Sequence, residues 1–207
     1  MPPRPKSAGI KFADPNQEST VNSKPASRTH SARKKTHKEV PHEIIQHPLT
    51  ANEQILFEAC RKGDIDTVYD QLWKGTDVNR KFPHTGNTPL SIACQCGHTR
   101  IVSLLIEFGA EIKVKDDYGV TPIHWASNYD DPKLINTLLE KGDLGLSELS
   151  LKDSFGSTPL HFASVRNKAN TVKLLLRAGS NPFITNNDSR KPSEVTTDSD
   201  IRDILIG

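Results

Sequence analysis

The chain has little of what usually builds a globule of 207 residues. Aromatic residues are 6% of it, methionine occurs once, and hydrophobic residues reach only 34%, low for one compact core at this length. Cysteine occurs three times, and an odd count argues against a disulfide framework. No apolar stretch approaches the ~18 residues needed to span a bilayer, and no apolar signal segment is legible near Met1. There is no P-loop, dinucleotide-binding glycine fingerprint, nucleophile elbow or H-E-x-x-H pair. These gaps predict a protein without membrane insertion, enzyme activity or cofactor, residing in the cytoplasm or also the nucleus.

Charge divides the chain. Residues 1–50 carry nine Lys/Arg against four Asp/Glu, a net of +5, and seven of the 14 prolines. The other 157 residues carry 18 basic against 21 acidic residues, a net of −3. The first segment, residues 1–48, has scattered Ser/Thr and almost no apolar periodicity. Such a composition cannot bury enough surface to offset ordering entropy, so a disordered arm is expected there. Its densest basic run, Arg33, Lys34, Lys35 and Lys38, reads as a nuclear-import signal, a phosphate-binding patch or a solubilising tail.

From residue 49 onward the pattern changes to self-similarity. The blocks Thr88–Gly109, Thr121–Gly142 and Thr158–Gly179 are near copies, opening T-P-L-S-I-A, T-P-I-H-W-A and T-P-L-H-F-A. Pro89, Pro122, Pro159 and Pro192 are separated by 33, 37 and 33 residues. Periods of this length mark a stacked array in which each unit buries its apolar face only against its neighbours. Within a unit, Thr can cap a helix while the following Pro occupies its first turn. Ile123 and Ala126, or Leu160 and Ala163, then recur at helical spacing and face inward. Gly97 is expected to close a first helix in the left-handed region, and Gly109, Gly142 and Gly179 to close second helices. Asn167 replaces such a glycine and tolerates the same conformation.

A 33-residue period headed by T-P-L-H-x-A resembles the ankyrin repeat, and the likeness covers roughly residues 51–207. It implies an all-α solenoid of helix-turn-helix units joined by β-hairpin-like loops, with about four repeats and a truncated C-terminal cap repeat over residues 49–207. The first unit, Ala51 to Asn79, is divergent but keeps Leu56, Ala59, Gly63, Val68, Leu72 and Gly75 in register. Terminal repeats are expected to be atypical because one face meets water. Asp130 stands where glycine normally closes the first helix, and four extra residues follow Gly142, within 143–147.

The resemblance also implies a concave face, lined by first helices and hairpin tips, that binds another protein. Carried onto this sequence, its positions are Tyr118, Val120, Trp125, Asn128 and Tyr129 in one repeat and Phe155, Phe162 and Arg166 in the next. Asn87, Ile92, Gln95 and Cys96 are the matching positions upstream. Five scarce aromatics fall in this set, and Trp, Tyr and Arg dominate binding hot spots. Tyr118 and Phe155 read equally as packing between hairpins or as contacts; Trp125 and Phe162 favour binding. His124 and His161 are implied to be structural hydrogen-bonding residues. Cys94-x-Cys96-x-His98 lacks a fourth ligand of suitable spacing, so no metal is expected. The predicted function is thus a monomeric, non-enzymatic interaction module, an adaptor, scaffold or inhibitor. The alternative is nucleic-acid or acidic-surface binding by the basic arm, with the repeats as a secondary docking domain.

Overall fold

A computed structural model describes residues 48–142 and 144–207. The arm, with Arg33, Lys34, Lys35 and Lys38, lies outside the described residues, as does Asp143. Among the described residues the secondary structure is eleven helices and no strand. They run in pairs, one inner and one outer helix per repeat: α1 Ala51–Lys62 with α2 Ile65–Trp73, α3 Pro89–Gln95 with α4 Thr99–Glu107, and α5 Pro122–Ala126 with α6 Pro132–Lys141. After the short helix α7, Leu146–Leu149, come α8 Pro159–Val165 with α9 Ala169–Arg177, and α10 Pro192–Val195 with α11 Ser199–Ile206.

The pairing follows from the expected signals. Thr88 caps α3, its hydroxyl accepting the Ser91 amide at 3.2 Å. Proline stands in the first turn of α3, α5, α6, α8 and α10, where a missing N–H costs nothing. The divergent first repeat starts instead with a full capping box, Thr50 and Glu53 each bonding the other's amide. Its register residues Leu56, Ala59, Val68 and Leu72 are all buried. One core runs the length of the array: Leu56, Leu90, Ile123 and Leu160 from inner helices meet Val68, Val102, Ile135 and Val172 from outer ones. Cys60 and Cys94 are buried in it as free thiols, and burial pushes Cys60 up to about 12.

Successive repeats are also bonded at the hairpins. The Asp117 amide donates to the Thr85 carbonyl, Ser154 to Tyr118, and Asn187 to Phe155, at 3.0, 2.8 and 2.9 Å. The three later hairpins are each braced from within by one Asx side chain. Asp116 Oδ1 accepts the amides of Tyr118 and Val120, Asp153 Oδ1 those of Phe155 and Ser157, and Asn186 Oδ1 those of Asp188 and Arg190.

The two irregular features of the third repeat resolve differently from one another. Asp130 leaves no gap. Its carboxylate accepts the Asn170 and Thr171 amides at 2.9 and 3.1 Å, capping the start of α9 in the next repeat. Asp131 caps its own α6 and accepts the Thr99 hydroxyl of the preceding repeat at 2.7 Å. Gly142, expected to be left-handed like its counterparts, is not. Gly109 and Gly179 have φ of 88° and 94°, whereas Gly142 has φ −88° and remains right-handed. The four extra residues precede and enter α7, whose Leu149 is buried. Glycine at 142 is required by space instead, because a Cβ would collide with the Leu138 carbonyl and press on Ile112. Leu144 packs on the core and Leu146 is exposed. Asn167 is left-handed, with φ 53°. Its amide spans to the cap repeat, bonding the hydroxyls of Thr196 and Thr197 at 2.8 and 2.7 Å.

Candidate partner-binding groove

The candidate surface lies on the inner helices α5 and α8 and the hairpins before them. His124 and His161 fix it from below. The Nδ1 of His124 accepts the Thr121 amide at 3.2 Å and lies 2.8 Å from the Thr121 hydroxyl. Its Nε2–H therefore donates across the repeat boundary, to the carbonyls of Leu151 (3.1 Å) and Ser157 (3.3 Å). His161 repeats the arrangement with Thr158 and the Arg190 carbonyl. Both nitrogens are committed and both rings are buried. Burial holds His124 down to about 4, and His161 is lowered for the same reason, so both are neutral near pH 7. They are structural, as the resemblance implied.

On this footing stands a chain of edge-to-face aromatic contacts. The His124 and Phe162 rings are 5.3 Å apart at 71°, and Phe162 and Trp125 are 6.4 Å apart at 87°. Both apolar rings are half-buried, neither turned fully inward nor fully free. Burial raises the neighbouring Asp116 carboxyl against the opposing pull of the Val120 and Tyr118 amides, and the buried Trp125 indole N–H has no hydrogen-bond partner. Beside them Phe155 and Val165 project outward, 69% and 56% exposed. These residues with Asn128, Asp153, Ser157, His161 and Arg166 line an open notch of about 300 Å³.

The remaining sequence candidates divide. Tyr118 is 55% exposed at the neighbouring hairpin tip, so neither it nor Phe155 packs away between hairpins. Val120 is corrected: it closes the hairpin through both its amide and its carbonyl, and its side chain, 5% exposed, offers a partner nothing. Ile92 is buried likewise. Tyr129 is already fastened. Its hydroxyl donates to the Gln95 carbonyl at 2.5 Å, and its ring lies over Gly97, where φ is +75° and a Cβ would meet the ring. Cys94 is interior and His98 Nε2 is 3.1 Å from the Arg61 carbonyl. Among the described residues no three His, Cys, Asp or Glu side chains cluster as metal ligands, and no helix is long and apolar enough to cross a membrane.

Sequence reasoning missed a second aromatic surface. On the outer helix α2, Ile65, Tyr69 and Trp73 form an exposed i, i+4, i+8 row. Tyr69 stacks on Trp73 at 6.1 Å and meets Phe108, just past the end of α4, edge-on at 6.0 Å. The spacing was readable, but on a helix expected to bury its apolar face it reads as core.

Comparison with known proteins agrees with this geometry. A family model described as ankyrin repeats (3 copies) matches residues 56–147, and a model of the single ankyrin repeat matches 155–187. Ankyrin repeat domain-containing protein 13C-A of Xenopus laevis is 36% identical over 84 residues, 41% of this chain and 16% of its own length. Ankyrin repeat and SOCS box protein 5 of Oryctolagus cuniculus is 33% identical over 108 residues, covering 49% and 32%. ARF GTPase-activating protein GIT2 of Homo sapiens is 32% identical over 85 residues, covering 41% and 11%. The chain thus spans less than a third of the length of each of these, and the likeness concerns the repeats alone. Repeats of this kind are generally protein–protein interaction modules. With its period, its bonded hairpins and its paired helices all matching, the chain belongs to the ankyrin-repeat family.

Proposed function

We propose that the protein is a binding module that captures another protein on the inner face of α5 and α8, and so acts as an adaptor, scaffold or inhibitor. One observation carries the reading. Phe155 and Val165 are exposed apolar side chains beside the half-buried Trp125 and Phe162, around one notch of about 300 Å³. Exposed apolar groups gathered around a concavity, on an array rigidified from below, are what a partner's anchor residue fits. A standard contact would cover on the order of 800 Å² on each side, so Tyr118 and Arg166 fall within its reach.

The test must spare the fold. Trp125 packs on the core, and Phe162 on Trp125 and the buried His124 ring, so truncating them also loosens the stack. Phe155→Ser with Val165→Ser removes only exposed apolar surface, and unfolding should stay within about 0.5 kcal/mol of wild type. Affinity capture from cell extract should lose its partner with this double variant. Undiminished capture would reject the site.

A further inference from the structure

We infer that the notch takes a peptide segment of another protein in which a bulky apolar side chain lies within a few residues of a carboxylate. The inference rests on the binding reading above and adds the chemistry of the ligand.

Two of the polar groups around the notch are tied to the fold. His161 is bonded through both nitrogens. Asp153 is turned onto its own hairpin, where Oδ1 accepts two amides at 2.9 and 2.7 Å. Of the described side chains that line the notch, Asn128, Ser157 and Arg166 make no side-chain hydrogen bond or ion pair, and the Trp125 indole N–H is likewise unpartnered; the amide and the guanidinium are the two whose chemistry selects a ligand. Asn128 lines the notch with an amide that has no hydrogen bond, and Arg166 lines it with a guanidinium that has neither ion pair nor hydrogen bond. A free amide suits an extended backbone, because it can donate to a carbonyl and accept from an N–H at once. An uncompensated guanidinium suits a carboxylate, which it can hold with two parallel hydrogen bonds.

Position gives the pairing a direction. Asp153 belongs to the hairpin before α8, and Arg166 follows the last residue of that helix. The seven residues of α8 at about 1.5 Å each span roughly 10 Å, with Asp153 before the start of that span and Arg166 just past its end. A ligand carboxylate is therefore drawn to the Arg166 end, near Tyr129, and away from the Asp153 end. Between them lie Trp125, Phe162 and Val165, which accept the apolar side chain. At about 3.3 Å per extended residue, the acid falls within about four positions of the anchor.

The experiment is a phage-display selection of random 12-residue peptides against the full chain, followed by affinity measurement on the synthetic consensus peptide. Wild type should enrich Leu, Phe or Trp within four residues of Asp or Glu. Arg166→Glu should weaken the consensus peptide roughly tenfold, and replacing the peptide's acid by Lys should restore binding to that variant. Arg166 is exposed, and Arg166→Gln, expected to weaken binding less, controls for any disturbance by the reversed charge. An apolar consensus without acids, lost with Phe155→Ser/Val165→Ser but indifferent to Arg166→Glu, overturns this inference and leaves the groove standing. A consensus that binds equally well without Phe155 and Val165, or no enrichment over an unrelated control protein, overturns both.

Discussion

Acidification is the sharpest perturbation of the histidine supports. Neutral His124 accepts at Nδ1 and donates at Nε2; a proton on Nδ1 would face the Thr121 N–H and break the cap from which α5 begins. Burial accordingly lowers its pKa from 6.5 to about 4. A folded-state pKa below the unfolded one means that the unfolded chain takes up the proton first. The stabilisation is complete above about pH 6.5, declines as pH falls, and is exhausted below about pH 4. Over that window the shift corresponds to about 3 kcal/mol, a large share of the roughly 5–15 kcal/mol that holds a typical domain together. His161 shifts in the same direction and adds to the loss. The assay is denaturant unfolding of wild type and His124→Gln at intervals from pH 7.5 to 4.5. Glutamine can keep the reciprocal cap with Thr121 without titrating. The variant should be less stable at pH 7.5, and the gap should narrow by about 2–3 kcal/mol at pH 4.5. Parallel loss in the two proteins, or a His124 ring resonance titrating near its ordinary value, would refute the reasoning.

Two further predictions concern how repeats are joined. Asn167→Ala both places a β-carbon in the left-handed region and removes the bonds to Thr196 and Thr197; it should cost about 2 kcal/mol, and hydrogen exchange should rise first over α10 and α11. Asp130→Ala removes the cap supplied to α9 from the preceding repeat and should cost about 1–2 kcal/mol, with faster exchange at Asn170 and Thr171 than at the start of α6.

Much of the architecture was readable because its signals are local. Thr, Pro and the inward Ala of each inner helix, together with Gly97, Gly109 and Gly179, act within a few residues of where they stand. What depended on distant partners was not readable. Asp130 looks like a defect beside its own helix and becomes a cap only because Asn170, 40 residues away, is brought to it. Gly142 occupies a closing position, yet it stays right-handed, which its own residue type does not announce. At the candidate groove, the scarce aromatics pointed to α5, α8 and their hairpins, where the open notch lies, but sequence could not say which hairpin residue turns inward. Val120 does so and its counterpart Ser157 does not. The outer row Ile65, Tyr69, Trp73 escaped because helical spacing alone does not distinguish a buried stripe from an exposed one.

That outer row is also the natural rival to the groove, since Trp73 is 68% exposed. The most direct measurement is therefore comparative capture of interacting proteins from one extract by wild type, Phe155→Ser/Val165→Ser and Tyr69→Ser/Trp73→Ser, each verified as folded. Loss with the first double variant and retention with the second is the expected result. Retention with the first and loss with the second would move the binding surface to the outer helices and contradict the account.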